Sequence, residues 1–202
     1  MGWLFYHREK NAESNAEHFA KKFDNRYQMV AHGTVGTVFY AALRDLHTDE
    51  VSAFIALTAW RREHHNFGYK DMTETMLPGA CAAPKKVLDA LTETTDEYAL
   101  EWRANCRRYH EQRAFLRTHL KPGTRLRLTH PLRFANDTSR DTFTYTPSCG
   151  RGRSPLVHDG AGYRVPDWRD QVAAVIDADG IETLSPIGRH RKARDTQHPI
   201  TA

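Results

Sequence analysis

Hydrophobic residues recur along this chain with two periods, and the local period predicts each element. Residues 2–7 are short and mostly apolar, as a strand is. From Asn11 to Phe23 the period is helical. Asn11 is a candidate N-cap, Phe19 and Phe23 share a face, and Lys21 and Lys22 point outward. Strand character follows at 28–34, 37–44 and 51–61, punctuated by Gly33, Gly36 and the polar turn His47-Thr48-Asp49. In the last of these runs Val51, Ala53, Ile55, Leu57 and Ala59 fall on one face, and Phe54, Thr58 and Trp60 on the other. Both faces are substantially apolar, which predicts a central strand covered on both sides. Short turns between the runs predict an antiparallel meander.

Residues 64–76 break this periodicity and read as a loop, leaving through Leu77-Pro78-Gly79. Pro84 can open a helix that runs to about Leu91. A second helix starts near Thr95, with Asp96 and Glu97 in a first turn that favours anions, and continues to about His119. Tyr98, Trp102, Cys106, Tyr109 and Leu116 form its apolar stripe. Arg103, Arg107, Arg108, Glu111, Arg113 and Arg117 are assigned to the opposite face. That face is either a solvated helix side or a surface for phosphate or an acidic partner.

Lys121-Pro122-Gly123 stops the helix and marks a domain boundary. Beyond it, residues 124–129 alternate strictly, with Leu126 and Leu128 inward and Arg125 and Arg127 outward. Further short strands are expected at 131–135, 141–146 (Phe143 and Tyr145 inward), 160–165 and 181–184, with a short helix at 167–176. The expected fold class is α+β. Residues 1–120 form an N-terminal antiparallel meander with helices packed on it. Residues 121–184 form a small β-barrel resembling an SH3-like module, and 185–202 a basic disordered tail.

Composition narrows the class. A chain of 202 residues is long enough for one sizeable core or two small modules. With 40% hydrophobic and 27% charged residues it is globular. Lys and Arg number 29 against 25 Asp and Glu, a net charge of +4, which permits an anionic partner without requiring one. Arginines concentrate in the second half, and Arg189-His190-Arg191-Lys192-Ala193-Arg194 is a basic run. Twelve histidines would add charge as pH falls. Cys81, Cys106 and Cys149 are odd in number with no Cys-x-x-Cys spacing, which argues against a disulfide framework and a cysteine zinc site and fits a reducing cytoplasm. The opening Gly2-Trp3-Leu4-Phe5-Tyr6 is too short for a signal peptide or a membrane span, so no membrane partner is expected.

The chemistry concentrates in 64–76. His64 and His65 are adjacent, so an extended backbone points them to opposite faces and they do not bind one metal easily. Asp71 and Glu74 are three apart. On a helical turn they would share a face as an acid/base pair or a divalent-cation site, while Asp-x-x-Glu also serves as an N-terminal cap. Lys70 can pair with either carboxylate. Phe67 and Tyr69 flank Gly68 and can stack on a base or peptide group, or plug the loop onto its own core. There is no Gly-x-Ser-x-Gly, Gly-x-Gly-x-x-Gly or Walker lysine loop, so no nucleotide cofactor is expected. Arg151 and Arg153 sit in a flexible cationic Gly-Arg-Gly-Arg stretch.

The run Asn66-Phe67-Gly68-Tyr69-Lys70-Asp71-Met72, continued by Glu74-Thr75-Met76, resembles the signature of an uncharacterised family carried by phages, plasmids and integrative elements. Met1-Gly2-Trp3, Glu101-Trp102-Arg103, Leu120-Lys121-Pro122-Gly123, Pro131-Leu132-Arg133-Phe134 and Tyr163-Arg164-Val165-Pro166-Asp167-Trp168-Arg169 fit the same resemblance, which covers roughly 1–170. Members usually have Gly where Leu77 stands, so the exit from this segment differs. The resemblance implies a mobile-element accessory protein, a setting in which inhibitors of host defence, of anti-CRISPR or anti-restriction type, are frequent.

Two functions follow as expectations. The first is a non-enzymatic binder of a host protein complex or nucleic acid, without cofactor or metal, using Phe67, Tyr69, Lys70, Arg103, Arg107, Arg125, Arg127, Arg151 and Arg153. The alternative is a metal-dependent nuclease or hydrolase built on His64, His65, Asp71 and Glu74.

Overall fold

The computed structural model describes residues 4–6, 26–61, 66–76, 78–134, 137–147 and 155–190, and gives the backbone alone for 4–6, 59–61 and 66–69. The helix expected at 11–23, His64, His65, Arg151, Arg153 and residues 191–202 lie outside the described residues. The chain divides into two units, 1–107 and 108–202. Each carries an antiparallel sheet, and with the helices this is an α+β fold. The division falls inside a helix rather than at Lys121-Pro122-Gly123, because the later turns of that helix bury side chains in the second unit's core.

In the first unit the strands are β1 (Leu4–Tyr6), β2 (Tyr27–Val35), β3 (Val38–Asp45), β4 (Val51–Arg61) and β5 (Asn66–Thr73), in the order β1-β5-β4-β3-β2. β2 to β5 form the expected meander. β2 turns into β3 at Gly36, whose φ of +60° is one that side chains rarely adopt. The segment read as a loop is instead strand β5 followed by a 3-10 turn, Glu74–Met76. β4 has two hydrogen-bonding edges. β3 fills one, and β5 fills the other over an eight-residue register from Phe54↔Thr73 to Arg61↔Asn66. That ladder is a tertiary demand, and it overrides the weak strand pattern of a polar segment.

Both faces of the central strands are buried, as their two-sided apolar pattern predicts. One face carries Tyr40, Ala42, Ala53 and Ile55, packed with Val87, Trp102 and Cys106. The other carries Phe39, Ala41, Leu43, Phe54 and Ala56. Val87 comes from helix α1 (Lys85–Leu88), entered through Pro84, and Trp102 and Cys106 from helix α2 (Glu97–His119). Asp96 caps α2, its Oδ1 accepting from the Ala99 N–H at 2.9 Å. Trp102 is fully buried, and its indole N–H donates to the Ala80 carbonyl at 2.9 Å. Cys81 and Cys106 are both free thiols. A hydrogen bond with Cys81, and then burial, push the Cys106 thiol well above its usual range.

In the second unit the strands are β6 (Arg125–Arg133), β7 (Ser139–Tyr145), β8 (Leu156–His158), β9 (Ala161–Tyr163), β10 (Val172–Ile176) and β11 (Glu182–Leu184), in the order β11-β10-β6-β7-β8-β9. Among the described residues no pairing joins β9 to β11, so this is an open sheet rather than a closed barrel. The helix expected at 167–176 is a 3-10 turn, Trp168–Gln171, followed by β10. All five residues of β10 are buried and it is paired on both edges, so its continuous apolar run carries no alternation to separate strand from helix. Leu126, Leu128, Phe143, Leu156, Trp168, Val172 and Val175 form the core with Leu116 of α2.

One polar node ties this unit together. Gln112 is fully buried, and its Nε2 donates to the carbonyls of Arg169 (3.1 Å) and Val172 (2.9 Å). The Val172 carbonyl also accepts from Ser185 Oγ at 2.7 Å, and Ser185 Oγ accepts from the Gly188 N–H at 3.1 Å. The tail expected to be disordered from Ser185 is instead packed as far as Gly188, with 186–190 helical and Arg189 and His190 exposed. Gly188 makes this possible, since a Cβ there would lie 2.0 Å from the Ala173 carbonyl oxygen. No helix among the described residues is long and apolar enough to cross a membrane.

Gly188→Ala should destabilise the fold by about 1–3 kcal/mol. Urea unfolding should show the loss, and hydrogen exchange should show faster exchange at the Ser185 amide, which now donates to Ala173. Cys106 should resist alkylation at neutral pH in the native protein and react only when urea opens the first unit. Rapid native labelling of Cys106 would contradict its placement.

Candidate functional site

The residues predicted to converge at 66–76 are separated by the strand they occupy. Residues paired directly across an antiparallel ladder share a face. Asp71 pairs with Ala56, on the face with Phe54, whereas Met72 pairs with Ile55 and packs in the opposite cluster. Lys70 pairs with Leu57 and is half-buried. For Phe67 and Tyr69 the backbone register is defined, opposite Trp60 and Thr58.

Glu74 goes inward. It is 2% exposed and meets Arg103, which is 7% exposed. Glu74 Oε2 accepts from Arg103 Nε at 2.7 Å, and Oε1 accepts from Arg103 Nη2 at 2.8 Å and from the Ala53 N–H at 3.1 Å. Arg103 Nη1 donates to the Thr92 carbonyl. Both carboxylate oxygens are thus engaged, and Glu74 is neither a helix cap nor the partner of Asp71 in acid/base work. Arg103 is likewise not on the solvated helix face. Ala99, Arg103 and Cys106 are spaced i, i+4, i+7 and all three are buried. That spacing was visible in the sequence, and the charge of Arg103 masked it.

The pair lines a cleft of about 500 Å³ together with Glu50, Ser52, Thr75, Glu93 and Thr95. Thr92 closes one side by imitating a strand partner. Its N–H and Oγ1 donate to the Val51 carbonyl, and its Oγ1 accepts from the Val51 N–H. Among the described residues no three His, Cys, Asp or Glu side chains are grouped to hold a metal ion.

Cationic character lies in the second unit. Residues 108–202 contain 16 Lys and Arg against 10 Asp and Glu, and residues 1–107 contain 13 against 15. Arg125 and Arg127 face outward on β6, as their alternation predicts. Arg125 lies between Thr144 of β7 and Ile176 of β10, and Arg127 between Thr142 and Ala174. The small Ala174 lets Arg127 reach Glu182 on β11 with two bonds of 2.8 Å. Those bonds raise the Arg127 guanidinium and lower the Glu182 carboxyl relative to their ordinary values.

Thr142 and Thr144 of β7 lie on this face opposite the two arginines, and beyond a register shift the exposed Arg140 pairs with Leu132, which packs against the core. The sequence reading did not single out Arg140. Arg113 is engaged by Asp170 at 3.0 Å and lies over the Tyr109 ring. Burial pushes the Asp170 carboxyl up, against the pull of Arg113. Arg107 and Arg125 remain exposed. The face of β6 and β7 thus presents the Arg125 and Arg127 guanidinium groups with the Thr142 and Thr144 hydroxyls; Glu182 holds Arg127, and Asp141, which accepts from the Thr142 hydroxyl at 3.0 Å, adds a second negative charge near it. Such a surface can donate hydrogen bonds to several phosphate oxygens at once.

Removing one partner of the buried pair should be costly. Glu74→Ala should lower stability by about 3–5 kcal/mol by leaving Arg103 charged and unpaired in the core. The double variant Glu74→Met/Arg103→Met should recover most of that loss in urea unfolding. Equal instability of the single and double variants would show that the pair's shape, rather than its charge, matters.

Residues 93–168 match the family described as Domain of unknown function (DUF6927). No curated protein and no solved structure matches the chain.

Proposed function

We propose that this protein is a non-enzymatic binder of polyanions, nucleic acid first among them, and that it serves a mobile element by occupying a surface that a host defence system uses. The observation that carries the reading is the cationic face of the second unit, where Arg125 and Arg127 share one side of the sheet with Thr142 and Thr144, and Arg140 is exposed farther along β7. Its guanidinium groups supply attraction that is independent of sequence, and the hydroxyls add short-range contacts to phosphate oxygens. The mobile-element setting rests on the resemblance of the 66–76 run.

A hydrolase centred on Asp71 and Glu74 has less support. Glu74 is held by Arg103 and the Ala53 N–H, and Asp71 belongs to the opposite face of the sheet. The two carboxylates therefore do not face a shared site in which they could divide acid and base work.

The test is fluorescence anisotropy with a labelled oligonucleotide across a salt series. Affinity should fall steeply as salt rises, and Arg125→Glu/Arg140→Glu should weaken binding and flatten the slope by about one unit for each lost phosphate contact. Unchanged affinity in the double variant would overturn the assignment of this face.

A further inference from the structure

The cationic face ends in a cleft, and the geometry points to that cleft as the seat of a single unpaired nucleotide. This inference rests on the polyanion-binding reading and deepens it, because it names single-stranded nucleic acid as the ligand class. The cleft encloses about 630 Å³, within the range of sites that hold small organic ligands. Arg125 belongs to both features: it lines the cleft and stands on the outward face of β6.

The lining separates into two kinds of surface. Ile176 and Ala178 supply apolar surface, and His119, whose ring is stacked at 4.3 Å on Phe115, lines the cleft with them. A base can lie against such a wall whatever its identity, since every base offers a π-face. Lys121 and Arg125 supply the cations, with the Thr183 hydroxyl. They suit the phosphates on either side of a seated base.

The cleft is also held in shape. The Lys121 N–H donates to Thr124 Oγ1, the Thr124 N–H to the Lys121 carbonyl, and the Gly123 N–H to Tyr145. The one carboxylate lining the cleft, Asp177, turns its Oδ1 to the N–H groups of Asp179 and Ile181, so this oxygen is engaged in its own turn.

The two features together favour a single strand. A duplex offers phosphates to Arg125 and Arg140 but keeps its bases stacked inside, so nothing enters the cleft. A single strand offers both.

The experiment compares a dye-labelled 12-nucleotide single strand, the same sequence as duplex, and a polyglutamate peptide, all with the full chain at equal ionic strength. The single strand should bind about tenfold tighter than the duplex, the scale of one stacked base. Ala178→Trp, which fills the cleft and leaves the cations in place, should abolish that difference. Lys121→Gln, in an exposed turn, serves as a second variant and should reduce the salt slope for the single strand by about one unit. Thermal melting checks that both variants fold.

Equal affinity of wild type for strand and duplex, or a preference that survives Ala178→Trp, overturns the nucleotide cleft and leaves the polyanion reading standing. Polyglutamate bound as tightly as the single strand also overturns the cleft's assignment. No binding of any of the three at low salt overturns both proposals.

Discussion

The buried ion pair between Glu74 and Arg103 is the constraint around which the first unit is organised. Four segments meet on its five heavy polar atoms: β4 through the Ala53 N–H, the end of β5 through Glu74, the stretch before α2 through the Thr92 carbonyl, and α2 itself through Arg103. In a low-dielectric interior two charges are tolerated only with such geometry and with their remaining lone pairs and protons occupied. The pair does not have to add much net stability to matter. It makes other placements of α2 on this sheet expensive, since sliding the helix by one residue would strand a charge in the core.

That constraint also decides what the region around Glu74 can do. A carboxylate bound by a guanidinium fork and a backbone N–H is fixed in position, with both oxygens engaged. The same residues that look like a catalytic constellation in the linear chain are thereby part of the scaffold. The second unit uses its arginines differently. Arg113 and Arg127 are each matched to one carboxylate near the surface, which tempers the field without removing it. Arg125 and Arg140 stay exposed. On the proposed reading, binding belongs to the outer surface of the second unit and the cleft beside it rather than to the buried pair of the first.

The strand pattern of this chain was legible where side chains alternate or where both faces are apolar. β2, β3, β4 and β6 all announced themselves in that way, as did the helix that becomes α2. Two elements were illegible for opposite reasons. β5 is too polar to carry a period, and it is a strand because the free edge of β4 needs hydrogen-bond partners. β10 is too uniformly apolar to carry one, because it lies between two strands with both faces covered. The packed segment after Ser185 was hidden by its basic residues. Its order comes from one hydroxyl and one glycine, which meet the backbone of β10.

For the candidate site the division is sharper. The sequence by itself determined that the chain is α+β, that Leu126 and Leu128 face a core and Arg125 and Arg127 do not, and that positive charge gathers in the second half. Each of these follows from local periodicity or composition, which the linear order of residues contains. Only the tertiary structure decided that Arg103 is a core residue, that Asp71 and Glu74 part company, and that Arg127 meets Glu182 across β10. These depend on which strands pair and in what register. A register is fixed by hydrogen bonds between residues distant in the chain, such as Ala56 with Asp71 or Arg127 with Thr142, so no local period encodes it.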